Sequence, residues 1–178
     1  MFVIYEFAVL ILLIFSPIII LIRLITGKEY LKRFKEKFCL FTEKSGNNET
    51  VWIHGASVGE ILSIIPIIDY YENDKSITQI LITSSTLSSS KIIDKYKFKK
   101  TCHQFYPIDQ FIFTKKFLNF WKPNLAIYVD SEIWPGMFKN LNDTKIPLIL
   151  LNARITRKTF KRWMKVKNFA QSVFDNIK

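Results

Sequence analysis

The sequence predicts an α/β fold, a Rossmann-like parallel sheet preceded by an N-terminal membrane-anchor helix. Three observations lead there. Short, nearly continuous aliphatic runs at residues 51–54, 77–83, 125–129 and 146–151 alternate with helical patterns, the signature of parallel strands covered by helices on both faces. An uncharged run, FAVLILLIFSPIIILI, occupies residues 7–22. The chain has 178 residues, enough for one ordinary domain and too few for two.

Composition narrows the function classes. Hydrophobic residues make up 49% and charged residues 23%, which excludes intrinsic disorder and fibrous repeats. Two cysteines, Cys39 and Cys102, are too few for a disulfide framework or a Cys-rich zinc module and read as buried thiols. With only two histidines, no dedicated transition-metal site is expected. The net charge of +11 is concentrated: residues 23–37 carry +4, and residues 152–178, with eight basic residues against Asp175, carry +7. A basic chain suggests nucleic acid, but here the first basic cluster abuts the apolar run. That order points to anionic lipid instead, and no nucleic-acid partner is expected.

A spanning helix needs about 20 apolar residues, so the run is marginal even with Leu24 and Ile25 added, and Pro17 is expected to kink or interrupt it. No basic segment precedes it and no A-x-A site follows, so it reads as an uncleaved anchor. The basic cluster behind it places the body in the cytoplasm. A helix buried in a soluble core is the plainer alternative. Residues 1–26 are thus read as the anchor, 27–50 as a basic juxtamembrane segment and linker, and 51–178 as the Rossmann-like domain.

Within that domain, helices are expected over 61–68 (with Pro66 a first-turn boundary or a kink), 91–96 and 110–120, and from Pro135. A short strand is expected at 103–106, and one helix over the C-terminal remainder. Ligands of such sheets bind at the carboxyl ends of the strands, so the strand-to-helix turns are the places to look for chemistry.

Three turns carry polar residues that packing does not require. In His54-Gly55-Ala56-Ser57-Val58-Gly59-Glu60, the glycines would permit a sharp turn and close backbone approach, and the helix N-terminus would favour negative charge. Glu60 is either a first-turn helix residue or a working carboxylate. In Asp130-Ser131-Glu132-Ile133-Trp134-Pro135-Gly136, Asp130 or Ser131 could cap the next helix. Glu132, desolvated near Trp134, is expected to have a raised pKa and a role in proton transfer. The hydroxyl-rich turn over residues 83–90, including Thr86, could bind sugar or phosphate, or simply cap a helix. The basic tail from Arg154 to Lys167 could meet anionic headgroups or be a solvated helix face.

In order, GKEYLKRFKEKF, VWIHGASVGE, ITSSTLSSS, HQFYPID, DSEIWP and LNARIT resemble the N-terminal half of the Kdo (3-deoxy-D-manno-octulosonic acid) transferases of lipopolysaccharide synthesis. The resemblance runs along nearly the whole chain. It implies the N-terminal domain of a two-domain GT-B glycosyltransferase that moves Kdo from CMP-Kdo onto a lipid A precursor, with inversion and without a metal or other cofactor. It also implies that Glu60 is the general base and Glu132 a second functional carboxylate. Ser57 and Gly59 would shape the turn presenting Glu60, and Arg154 would contact an anion or hold the site together.

The resemblance is imperfect in two places. Asp130-Ser131-Glu132 stands where the family usually has Glu-Thr-Glu, a conservative difference. The chain also stops at Lys178, before the second domain that would supply most of the CMP-sugar site. The expectation is therefore an acceptor-side domain, truncated or completed by a downstream-encoded C-terminal half. A membrane-tethered, non-catalytic remnant that binds lipid or a partner chain is the alternative, against which intact Glu60 and Glu132 argue. A Rossmann-type dehydrogenase is disfavoured by the absence of G-x-G-x-x-G.

Overall fold

The computed structural model describes residues 1–27, 31–41, 49–175 and 177. Residues 28–30, most of the expected linker (42–48), and the terminal Lys178 lie outside these described residues. Helix α1 (Phe2–Ile25) is followed by a 3-10 turn at Phe34–Phe38. Then come β1 (Thr50–His54), α2 (Val58–Asn73), β2 (Gln79–Ser84), α3 (Leu87–Ile93), β3 (Thr101–Phe105) and α4 (Phe111–Trp121). The chain continues through β4 (Leu125–Val129), α5 (Pro135–Asp143), β5 (Leu148–Leu151), α6 (Arg157–Met164) and α7 (Lys167–Phe174). All five strands are parallel, in the order β3-β2-β1-β4-β5. The Rossmann-like sheet is as expected.

Alternation along each strand sorts two cores. Val51, Ile53, Ile80, Ile82, Ile127 and Val129 pack with Ile61, Ile64 and Ile68 of α2 and Ile93 of α3. Trp52, Leu81, Ala126 and Tyr128 pack with Phe117, Leu118 and Trp121 of α4 and with Met137, Phe138 and Leu141 of α5. With both faces buried, the strands need apolar residues at every position, which is why they read as unbroken runs.

Several boundaries differ from expectation. Helix α3 starts within the hydroxyl-rich stretch, where a helix start was expected, capped by the Thr86 side chain accepting the Ser89 N–H, but it ends at Ile93 and not at Tyr96. Pro66 lies inside α2; it and Leu62, whose carbonyl loses its helical donor, are both exposed, so water can satisfy that oxygen. The C-terminal segment is two short helices, separated at Lys165 and Val166.

Helix α1 runs unbroken through the exposed Pro17. By length and composition it could cross a membrane, and it buries none of its residues. A helix buried in a soluble core is therefore not what the structure holds. Its first turns are pinned to the body. The Tyr5 hydroxyl donates to Asp109 Oδ2 at 2.5 Å, the Phe111 N–H donates to Glu6 Oε2 at 3.0 Å, and Phe2 packs edge-on against Phe169 at 4.9 Å.

Two charges of the basic juxtamembrane segment turn inward. Glu36, fully buried, pairs with Arg33 at 2.5 Å and accepts the Phe105 N–H at 2.9 Å, while Arg33 donates to the His103 carbonyl at 2.6 Å. They tie the 3-10 turn to the end of β3. Burial and the neighbouring Arg33 charge push the His103 imidazole down to about 3. Of the two cysteines, Cys39 is buried and Cys102 partly so, both as free thiols.

Candidate active site

The strand order reverses between β1 and β4, and such switch points are where open α/β sheets form ligand crevices. The turn after β1 carries Glu60 and the turn after β4 carries Glu132. The two strands pair directly, His54 opposite Tyr128. The following helices, α2 and α5, pack on opposite faces. The two expected carboxylates therefore follow neighbouring strands at the carboxyl end of the sheet.

Glu60 is held by a reciprocal cap. Ser57 Oγ accepts the Glu60 N–H at 3.3 Å and donates to Glu60 Oε1 at 2.7 Å, while the Ala56 N–H donates to Oε2 at 2.8 Å. The capping role that first-turn position suggested is real. Each carboxylate oxygen keeps a second lone pair, so the cap also aims the group without using it up. Neither Gly55 nor Gly59 has a positive φ, so the turn does not depend on left-handed backbone at either. A Cβ on Gly55 would crowd Glu60 Cβ at 3.2 Å, whereas one on Gly59 would meet only Ser57 Oγ, at 4.0 Å. Gly59 leaves open space beside Ser57.

Thr86 caps α3, and its neighbour Ser89 donates to the Ala56 carbonyl at 3.2 Å. The hydroxyl-rich turn thus lies against the Glu60 turn. The Thr86 hydroxyl itself is engaged with Ser89 Oγ at 2.6 Å.

Glu132 departs from expectation. Burial acts to raise its pKa, but the His54 imidazole and the Trp134 indole N–H, 2.9 Å from Oε2, stabilise the anion and the net shift is downward. The desolvated acid expected from Trp134 is instead a stabilised carboxylate. His54, fully buried, places Nε2 at 3.5 Å from Glu132 Oε2. Its Nδ1 lies 2.9 Å from Thr83 Oγ1, which also accepts the Trp52 indole N–H at 2.9 Å. Nδ1 also lies 3.1 Å from the Thr83 carbonyl oxygen, which can only accept, so a proton on Nδ1 finds its acceptor at Thr83.

Arg154 reaches Asp130 Oδ1 at 3.4 Å with 73% of its side chain exposed, and its carbonyl accepts from Ser131. Asn152 donates to the same Asp130 oxygen. Asp130 and Asn152 both adopt left-handed backbone (φ +59° and +53°) at the ends of neighbouring strands, a conformation their short polar side chains tolerate. Ser57, Gly59 and Glu60 thus lie at the start of α2 with Thr86 at the adjacent start of α3, and Glu132 and Arg154 lie beyond the ends of β4 and β5.

Sequence reasoning missed three supports. His54 and Thr83 were polar residues ending aliphatic strands, a signal that was present but unused. Asp109, buried, accepts the N–H groups of Gly136 (2.9 Å) and Met137 (2.7 Å) at the start of α5. Burial pushes its pKa up to about 6. A Cβ on Gly136 would stand 2.9 Å from the Asp109 carbonyl oxygen, so only glycine fits there. Among the described residues, no three His, Cys, Asp or Glu side chains come together as a metal would require.

Residues 32–178 match the family model for 3-deoxy-D-manno-octulosonic-acid transferase (kdotransferase). The chain belongs to the Kdo transferase family. A Kdo transferase of Rickettsia bellii is 41% identical over 173 residues, covering 97% of this chain and 41% of that protein. A probable mitochondrial Kdo transferase of Arabidopsis thaliana is 36% identical over 141 residues, 79% of this chain and 32% of its own. The chain thus spans about two fifths of the Rickettsia relative's length. A UDP-GlcNAc 2-epimerase from Neisseria meningitidis shares the fold alone, with a TM-score of 0.52 at 12% identity, over 72% of this chain and 39% of its own.

Proposed function

We propose that this Kdo transferase chain is the acceptor-side part of an inverting enzyme that moves Kdo from CMP-Kdo onto a lipid A precursor at the cytoplasmic face of the inner membrane. The acceptor hydroxyl gives its proton to Glu60 as its oxygen attacks the anomeric carbon of Kdo. The bond from that carbon to the CMP phosphate oxygen breaks, and CMP leaves with the electron pair. Glu132, kept anionic, opposes positive charge developing on the sugar ring. Ser57 and Gly59 shape the acceptor side, and Thr86 and Arg154 contact the polar parts of the substrates. No metal or other cofactor is assigned to the reaction. Donor binding is assigned mostly to sequence beyond Lys178, supplied by the same polypeptide or by a separate C-terminal half.

One observation carries this reading. Two donors hold the Glu60 carboxylate at the start of α2, beside the switch point, with lone pairs left to accept a proton. The test is transfer from CMP-Kdo to a lipid A precursor in membranes holding this chain alone, this chain with a C-terminal half, and each again with Glu60→Ala. Transfer that needs Glu60 is expected; transfer that survives Glu60→Ala removes it as the base.

A further inference from the structure

Behind α1 runs a groove of about 600 Å3, the size of a small-molecule site. One wall is a single stripe of α1 that includes Leu12, Leu13 and Ile20; the other includes Tyr106, Ile108 and Trp134. The stripe spans nearly the whole helix, from Tyr5 to Arg23. A 24-residue helix is about 36 Å long. Were it to cross a bilayer with the body on one side, its first turn would stand about 30 Å from that body. Instead Phe2 packs on Phe169 and Tyr5 bonds to Asp109. Helix α1 therefore lies along the body, and its other face exposes Val3 (82%), Phe7 (64%) and Ile14 (74%).

We infer that α1 lies in the membrane interface and that the groove behind it holds an acyl chain of an anionic membrane lipid. Aliphatic and aromatic walls suit a hydrocarbon tail and offer a sugar or nucleotide few partners. Arg23 and Lys37 also line the groove, where they complement a lipid phosphate. The far wall belongs to the candidate site: Trp134 donates to Glu132, and the Tyr106 ring lies 4.1 Å from that of His54. A lipid seated by its tail would thus bring its headgroup to the crevice. This deepens the acceptor reading above, and its test needs no donor sugar.

The test is photolabelling of the full chain by phosphatidylglycerol with a diazirine in its acyl chain, carried in phosphatidylcholine vesicles and mapped by mass spectrometry. Labels on Ile108 and Trp134 are expected, besides those on the outward residues Val3, Phe7 and Ile14. Leu13→Trp fills the groove from α1 and Ile108→Trp from the body. Either should abolish the Trp134 label and spare the outward labels, with an unchanged far-UV spectrum confirming the fold. Labels confined to the outward face, or a Trp134 label that neither variant reduces, would overturn the groove. Equal labelling from a phosphatidylcholine probe would overturn the part given to Arg23 and Lys37. A dimer that forms without lipid and that Ile108→Trp dissociates would make a second copy the occupant and overturn the proposal. A chain labelled in the groove that transfers no Kdo even with a C-terminal half leaves this inference standing and refutes the transferase reading alone.

Discussion

His54 Nε2 stands 3.5 Å from Glu132 Oε2, and this contact joins the ends of β1 and β4 across the switch point. It is longer than a full hydrogen bond, and Nε2 has no other partner among the described residues. Catalytic hydrogen bonds are often long before substrate arrives and tighten when it binds. Under the proposed reaction the pair would tighten in this way, since Thr83 holds the imidazole from behind while Glu132 sits on a turn.

Thr83→Val tests the lock. It removes the oxygen that receives the Trp52 indole and faces His54 Nδ1. Leaving buried donors unpaired costs about 1–3 kcal/mol, so urea melts should show a loss of that size. Transfer should fall further than stability explains, because Glu132 loses a positioned partner.

Glu60→Gln separates base from cap. Glutamine at the third helical position still completes a capping box, so stability should change by less than about 1 kcal/mol. Transfer should fall by about 10²- to 10⁴-fold. Ser57→Ala should do the reverse, costing about 1 kcal/mol of stability with the smaller kinetic effect. Parallel losses in both variants would make Glu60 a cap only.

Gly59→Ala probes the open space beside Ser57. Alanine is the better helix former by about 1 kcal/mol, and nothing in the fold collides with its methyl group. The melting temperature should rise while the KM for the lipid acceptor rises with it. A variant that is more stable and fully active would show that no ligand uses that space.

Asp109 gives the stability profile a sign. Its folded pKa, about 6, lies above the ordinary 3.8, so the folded state takes up a proton first as pH falls. Its stabilising contribution is complete below about 3.8 and is lost as pH rises through about 6. The stability of the native chain relative to Asp109→Asn should therefore grow between pH 6 and pH 4. Denaturation midpoints of the two proteins across that window provide the measurement.

The legible parts of this protein were local ones. The strand runs announced themselves because both faces of the sheet are buried, and Glu60 and Glu132 stood out as carboxylates at the ends of such runs. The C-terminal remainder, expected as one helix, breaks into α6 and α7 at Lys165 and Val166. Glu132 was misjudged because the burial term could be guessed from Trp134, whereas the opposing imidazole comes from a strand far away in sequence.

By itself the sequence determined the alternation of strands and helices, the apolar first helix and the turns where chemistry would lie, since each depends on residues within a few positions of one another. Only the tertiary structure decided that β1 and β4 are neighbours, that His54 meets Glu132, and that α1 lies along the body with its first turns bound to Asp109 and Phe111. Strand order and helix docking join residues 70 to 105 positions apart, such as Arg33 with His103 and Glu6 with Phe111. No local pattern encodes such pairs; they form only when burial of the two cores brings the surfaces together.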